Sequence, residues 1–302
     1  MGRYLNKVLL FGLLLFSILT VADYCFSSMI RKSNWRSVES WEEIIEGNIQ
    51  ADIIVSGSSR AWVQVDPSII DSVLCVNSYN LGINGSQINR QVQKYEIYRE
   101  RNKKPRIIIQ NIDFCSLGYV VGYEKEQFLP FFWDNNLKKT FTQSEPFTFC
   151  EKYLPLYRYH GLNPAGFLRS TPRTLYKGYQ GQNEVWNGDA FMKVDSIKFK
   201  VNDTTFCLFD SFLKQTKEDS IHVVFVYAPL YYGATQKTTN REEMYHTYQN
   251  IADKYEIPIL DYSEMWICYD TTYFYNATHL NKTGAEIYTD SLANDIKRLN
   301  IL

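Results

Sequence analysis

The sequence predicts an α/β protein, a three-layer α/β/α sandwich on a mainly parallel five-stranded sheet. Two observations carry this. Short β-branched runs recur, apolar at successive positions as in strands covered on both faces. Stretches with helical character separate them, the alternation that βαβ units produce. Residues 37–48 read as a short helix, capped by Ser37 or Ser40 with Glu in its first turn. The first strand is Ala51-Asp-Ile-Ile-Val-Ser56, closed by Gly57-Ser58-Ser59. The second spans Val73–Leu81 and runs into Asn80-Leu-Gly82-Ile-Asn-Gly85. The third is Pro105–Asn111, the fourth Ile221–Ala228 and the fifth Ile257–Asp261. Helices are expected over 86–101, 204–217, 240–255 and 282–299. Crossovers should be right-handed, with ligands outside the carboxyl ends of the strands.

The chain has 302 residues, 45% of them hydrophobic, enough for a sizeable core. Lys+Arg 32 against Asp+Glu 33 leaves no global basic footprint, so nucleic acid is not an expected partner. The six cysteines form no C-x-x-C pair and no Cys/His cluster of zinc spacing, so neither a metal site nor a dense disulfide scaffold is expected. One disulfide could form, with no pairing assigned. Four N-x-S/T sequons, at Asn84, Asn202, Asn276 and Asn281, are what this Asn, Ser and Thr content yields by chance.

Val8–Ala22 is continuously apolar and follows Arg3 and Lys7. As a helix it spans about 22 Å, and extension through Phe26 brings it near the ~30 Å of a hydrocarbon core. An uncleaved anchor over residues 1–30 is favoured. A signal peptide cleaved after Thr20-Val-Ala22 is the alternative. Either places the rest, 31–302, outside the cytoplasm, although basic residues flank the segment on both sides. A long insertion, about 114–201, separates the third and fourth strands. It is rich in aromatics (Phe131, Phe132, Trp133, Tyr153, Tyr157, Tyr159, Tyr176, Tyr179, Trp186) and is expected to form a lid or subdomain beside the strand ends. These rings suit either packing onto the sheet or a stacking surface for sugars or acyl chains.

Three places could carry chemistry. A serine in the Gly57-Ser58-Ser59 turn could expose its hydroxyl as a nucleophile and its N–H as an oxyanion donor. It could equally be a helix cap. The glycines of 82–85 permit close backbone approach, and Gly85 N–H is a second candidate donor. In Asn276-Ala-Thr-His279-Leu-Asn-Lys-Thr-Gly284-Ala, a side chain three residues before His279 could hold one ring nitrogen while the other faces a serine.

Taken in order, these blocks resemble the SGNH/GDSL hydrolase superfamily, whose fold is flavodoxin-like. More narrowly they are similar to its membrane-anchored extracytoplasmic members, such as the DltD-like and alginate-acetylation-type proteins. The resemblance covers about 51–113 and 221–302, not the insertion. It implies Ser59 as nucleophile, His279 as general base, Asn276 as its partner, and Ser59, Gly85 and Asn111 as oxyanion donors. It implies a serine esterase or O-acyltransferase without metal or organic cofactor. The substrate would be an O-acyl ester, most plausibly acetyl, of an envelope or secreted polysaccharide, or an acylated small molecule. Partners would be that polysaccharide, the membrane and a membrane-bound acyltransferase. Two positions depart from the pattern. The family's G-x-N-D is here Gln110-Asn111-Ile112-Asp113, leaving Gln110 or Asn111 as the substitute, and its D-x-x-H has Asn276 in the first place. Both departures favour a rival reading, a catalytically degenerate accessory that binds glycan or docks an acyltransferase. Asp261 and Asp270 are candidates to replace the missing charge.

Overall fold

A computed structural model describes residues 1–33, 38–120, 122, 125–134, 137, 147–162, 175–188 and 196–302. The expected cap Ser37 and parts of the insertion (121, 123–124, 135–136, 138–146, 163–174 and 189–195) lie outside the described residues. Five strands, β1 Ile53–Ser56, β2 Ser78–Asn80, β3 Ile107–Asn111, β4 His222–Tyr227 and β5 Ile259–Asp261, form one sheet in the order β2-β1-β3-β4-β5. Every neighbouring pair is parallel, with Val55 opposite Ile109 and Gln110 opposite Phe225. This is the doubly wound order whose switch point lies between β1 and β3. The α/β class and the five-stranded parallel sheet are as the sequence predicts.

Among the described residues, the α-helices that pack with this sheet are α3 Ser59–Gln64, α4 Pro67–Leu74, α5 Ile88–Arg99, α7 Asp203–Glu218, α9 Arg241–Tyr255 and α10 Lys282–Leu299; α1, α2, α6 and α8 are Gly2–Arg31, Glu39–Glu46, Phe149–Tyr153 and Tyr232–Thr235. Alternation along the strands sorts side chains to two faces. Ile53, Val55, Ile107, Ile109, Val224 and Val226 join one core with Ala61, Ile70, Leu292 and Ile296 of α3, α4 and α10. On the other face Phe225 stacks with Phe209 of α7 at 5.7 Å, and Tyr95 of α5 meets Phe212 of α7 edge-on at 5.5 Å.

The second strand is shorter than the sequence suggests. Val73 and Leu74 belong to α4, whose start carries Asp66 as cap and Pro67 in the first turn. Cys75 ends it in the left-handed region at φ 54°, so β2 begins only at Ser78. A two-stranded antiparallel hairpin, β6 Phe274–Asn276 and β7 His279–Leu280, was not anticipated. All six cysteines are free.

The chain divides into two compact units. One comprises 44–121 and 175–302 and holds the sheet. The other comprises 1–43 and 122–174. In the latter, α1 is 30 residues, long and apolar enough to cross a membrane, a test a signal sequence also meets. Asp23 of α1 is buried, and its Oδ2 accepts from Arg158 Nη1 at 2.6 Å.

Candidate active site

Gly57 makes the turn after β1. Its φ is +153°, and a Cβ there would sit 2.7 Å from Asn111 Cβ and 2.8 Å from Ala61 Cβ. Only glycine fits without displacing β3 or α3. Ser58 then caps α3, its Oγ accepting from Arg60 N at 3.4 Å. Ser59 is the first residue of α3, so its N–H is among those a helix start leaves without an intrahelical partner. Ser58 therefore takes the capping role, and the half-buried Ser59 hydroxyl is left to face the cavity.

Asn80 fixes the helix that carries Ser59. Its Nδ2 donates to Ala61 O at 2.7 Å and Val65 O at 2.8 Å, and its Oδ1 accepts from Gly82 N at 2.8 Å. The Asn80–Gly85 block thus braces α3. Gly85 itself is exposed, with φ +63°, and does not line the cavity.

The β6–β7 hairpin sets His279. Asn276 and His279 are partners across the two-residue turn Ala277-Thr278, so a spacing of three puts their side chains together. His279 Nδ1 lies 2.9 Å from Asn276 Oδ1, and Nε2 lies 2.7 Å from Ser59 Oγ. Amide oxygens accept only, so Nδ1 carries the proton and Nε2 is free to accept from the serine. Thr278 N and Oγ1 donate to the same Asn276 oxygen at 3.0 and 3.1 Å, holding the amide in place. Asn281 caps α10, accepting from Gly284 N at 3.1 Å, and its Nδ2 donates to Thr272 O at 2.7 Å. A Cβ at Gly284 would collide with Tyr273 O. The Leu-Asn-x-x-Gly that follows His279 is thus a structural clasp for the hairpin.

Burial, and after it the Arg60 charge, lowers the His279 pKa to about 4. At neutral pH the ring is a neutral acceptor.

Ser59, His279 and Asn276 line one cavity of about 480 Å³, together with Phe114, Trp186, Phe199 and Tyr227. From the insertion, Trp186, Ile197 and Phe199 contribute to its wall. Trp186 N donates to Phe274 O at 2.8 Å, and Phe199 N to Asn240 Oδ1 at 3.0 Å. Of the aromatics singled out in the insertion, Trp186 reaches the cavity; Phe131, Phe132, Tyr159 and Tyr179 are buried elsewhere. Cys115 also lines it, but burial and the Asp113 charge push its thiol up to about 11, which disfavours a thiolate nucleophile.

The remaining expected residues lie apart from the cavity. Asn111 is buried and its Nδ2 donates to Asp113 Oδ1 at 2.8 Å. Gln110 Nε2 donates to Gln91 Oε1 at 2.9 Å and Asn111 O at 3.0 Å. Asp261 accepts from Ser263 N, Asp270 from Thr272 N, and neither lines the cavity. The charged groups that do are Asp113, Arg60 and Lys237. Asp113 takes the Ser58 hydroxyl and pairs with Arg60, and its backbone oxygen accepts from Tyr248 OH at 2.8 Å. Sequence reading missed Arg60 and Asp113. Each sits directly past a strand end, and only the adjacency of β1 and β3 joins them.

No family model matches the sequence, and no curated protein matches it. Solved structures do align with it. A protein assigned to the lipolytic G-D-S-L family from Desulfitobacterium hafniense is 11% identical over 82% of this chain and 99% of its own, with TM-score 0.42. One assigned as an acylhydrolase from Bacteroides fragilis is 12% identical, covering 87% and 98%, with TM-score 0.41. A GDSL-like lipase from Bacteroides thetaiotaomicron is 10% identical, covering 86% and 98%, with TM-score 0.40. At such identities and TM-scores the likeness assigns no role to this chain.

Proposed function

We propose that the protein is a serine esterase or O-acyltransferase of SGNH/GDSL type. The observation that carries this reading is the hydrogen-bonded chain from Ser59 through His279 to Asn276 in the lining of an apolar cavity. Ser59 Oγ attacks the acyl carbonyl while its proton passes to His279 Nε2. The tetrahedral intermediate collapses to an acyl-serine, and the departing alkoxide takes that proton. Water or a sugar hydroxyl then gives its proton to Nε2 and attacks the acyl-serine; collapse breaks the bond to Ser59 Oγ, which takes that proton back from Nε2.

The substrate we propose is an O-acetyl ester of an envelope or secreted polysaccharide. The resemblance to DltD-like and alginate-acetylation-type proteins motivates it. The cavity size supports it, since about 480 Å³ takes an acyl group and the sugar ring bearing it. Trp186, half-buried in the cavity lining, offers its indole to the apolar side of such a ring. We place the sheet-bearing unit outside the cytoplasm, anchored by α1, where a membrane acyltransferase could supply acyl groups.

One observation favours the accessory reading. Asn276 can orient His279 but has no charge to stabilise an imidazolium, and in the serine-protease template Asp to Asn cost about 10⁴ in kcat. The deciding experiment treats the full chain in detergent with a fluorophosphonate, beside Ser59→Ala and His279→Ala, and follows p-nitrophenyl acetate hydrolysis. The esterase reading expects labelling of the parent alone and at least ~10³-fold slower turnover in both variants. A folded parent that neither labels nor turns over ester overturns it in favour of the accessory.

A further inference from the structure

The cavity holds a buried cation that the steps above leave unused. Arg60 follows Ser59 in α3 and lines the same cavity as Ser59 and His279. It is 8% exposed. Nη2 pairs with Asp113 Oδ1, and the guanidinium lies over the Tyr227 ring, 5.3 Å from its centroid. The Tyr227 hydroxyl also bears on the guanidinium, but the buried Nη1 meets no acceptor at hydrogen-bond distance among the described residues. A buried charged donor left without an acceptor is costly, so such a group beside a nucleophile points to a ligand atom that arrives with the substrate. The neighbouring groups narrow its identity. Gly85 and Asn111 do not line the cavity, and Asn111 Nδ2 is engaged by Asp113. Of the oxyanion donors that the resemblance implies, this leaves the Ser59 N–H, and Arg60 is the cation next to it in the chain.

Resting on the esterase reading, we propose that Arg60 Nη1 donates to the oxyanion formed when Ser59 attacks an acyl carbonyl. The new bond is Ser59 Oγ to the carbonyl carbon. The carbonyl π pair moves to oxygen, the serine proton moves to His279, and Arg60 stays protonated throughout. Collapse restores the C=O, breaks the bond to the leaving oxygen and returns Nη1 to its unpaired state. Asp113, which lines the same cavity, holds the guanidinium through Nη2. The charge that a triad aspartate would supply behind the imidazole is, in effect, replaced by a cation on the oxyanion. That arrangement also fits the lowered His279 pKa, to which Arg60 contributes after burial.

The test uses a neutral ester, p-nitrophenyl acetate, so that recognition of an anionic substituent does not enter. Arg60→Lys keeps a cation for Asp113 but loses the planar fork. It should lower kcat by about 10²–10³ with KM within about threefold, the range for loss of an oxyanion donor. The rate constant for fluorophosphonate labelling should fall in parallel. Arg60→Ala should regain at least tenfold in kcat, saturably, with millimolar methylguanidine, which a purely structural role does not provide. Arg60→Lys with kcat within threefold of the parent overturns the assignment, as does Arg60→Ala that methylguanidine leaves unchanged. A parent chain that neither labels nor hydrolyses ester instead overturns the esterase reading itself.

Discussion

In the esterase we propose, His279 is where protonation and activity meet. Its pKa of about 4 means that the folded protein holds this proton less tightly than the unfolded chain, whose imidazole titrates at the ordinary 6.5. Acid therefore favours unfolding. The stability contributed is complete above 6.5, shrinks as pH falls below it, and is gone once pH has passed through about 4. In the proposed mechanism, catalysis follows the same proton. We expect kcat/KM to be flat near neutrality and to fall as pH drops through about 4, measured by initial rates under conditions where refolding is checked. An acid limb near 6.5 would mean that the ring is solvated and its burial overstated. Asn276 gives a second handle. Asn276→Asp places a carboxylate 2.9 Å from Nδ1 in the parent geometry, and an opposite charge at that range raises a pKa by about 1–3 units. The acid limb should move up by that amount and kcat should rise. An unmoved limb would show that Asn276 does not control the imidazole. This pair was legible in the sequence because its spacing is local and a hairpin turn alone brings it together. Arg60 and Asp113 were not, because nothing local joins residues 60 and 113. Their pairing follows from sheet order, and their charges read alone as ordinary surface groups.

At the scale of elements, the strands were legible for a simple reason. Ile-Ile-Val in β1, Ile-Ile-Ile in β3 and Val-Val-Phe-Val in β4 are apolar at every position because helices cover both faces. The same rule misled at Val73-Leu74, where an apolar pair belongs to the end of α4 and the stop is a left-handed cysteine. The Asp66-Pro67 start was a readable helix signal that outranked it. The β6–β7 hairpin escaped because its strands are too short for any periodicity to register. The two glycine-bearing turns make opposite predictions. Gly57→Ala forces a Cβ against Asn111 and Ala61 at φ +153°, so strain of about 1–3 kcal/mol should appear at the base of α3. Because α3 carries Ser59, we expect a loss of at least tenfold in kcat together with a lower unfolding midpoint. Gly85→Ala meets open space on an exposed turn away from the cavity. Its kcat should stay within threefold of the parent. A large kcat loss there would return Gly85 to the oxyanion site that the resemblance implied.

For the molecule as a whole, a net charge of -1 supplies no long-range pull toward a polyanion, so location has to come from α1 and the unit that holds it. Within that unit the helix is not a free tail. Arg158 reaches it through Nη1 to Asp23 Oδ2 at 2.6 Å and Nη2 to Ser27 Oγ at 3.0 Å, while Nε donates to Leu129 O at 3.0 Å. The guanidinium also lies 4.8 Å from the Phe132 centroid and 4.9 Å from that of Tyr159, whose hydroxyl is 2.7 Å from Ser27 Oγ. Cleavage after Ala22 would place a new charged terminus on Asp23 itself, next to this buried pair. On this ground we propose that α1 is retained as an anchor. A buried ion pair costs most when one partner is removed, about 3–5 kcal/mol, and far less when both become apolar. Asp23→Leu and Arg158→Met should each accelerate hydrogen exchange over 147–162 by about 10²-fold or more, since each 1.4 kcal/mol of opening free energy is tenfold. The double variant should recover most of that protection, and the coupling should be read from the full cycle in detergent. Single variants that exchange at the parent rate would mean that α1 and the 147–162 segment do not depend on each other. The case for an anchor held by its own unit would then fall.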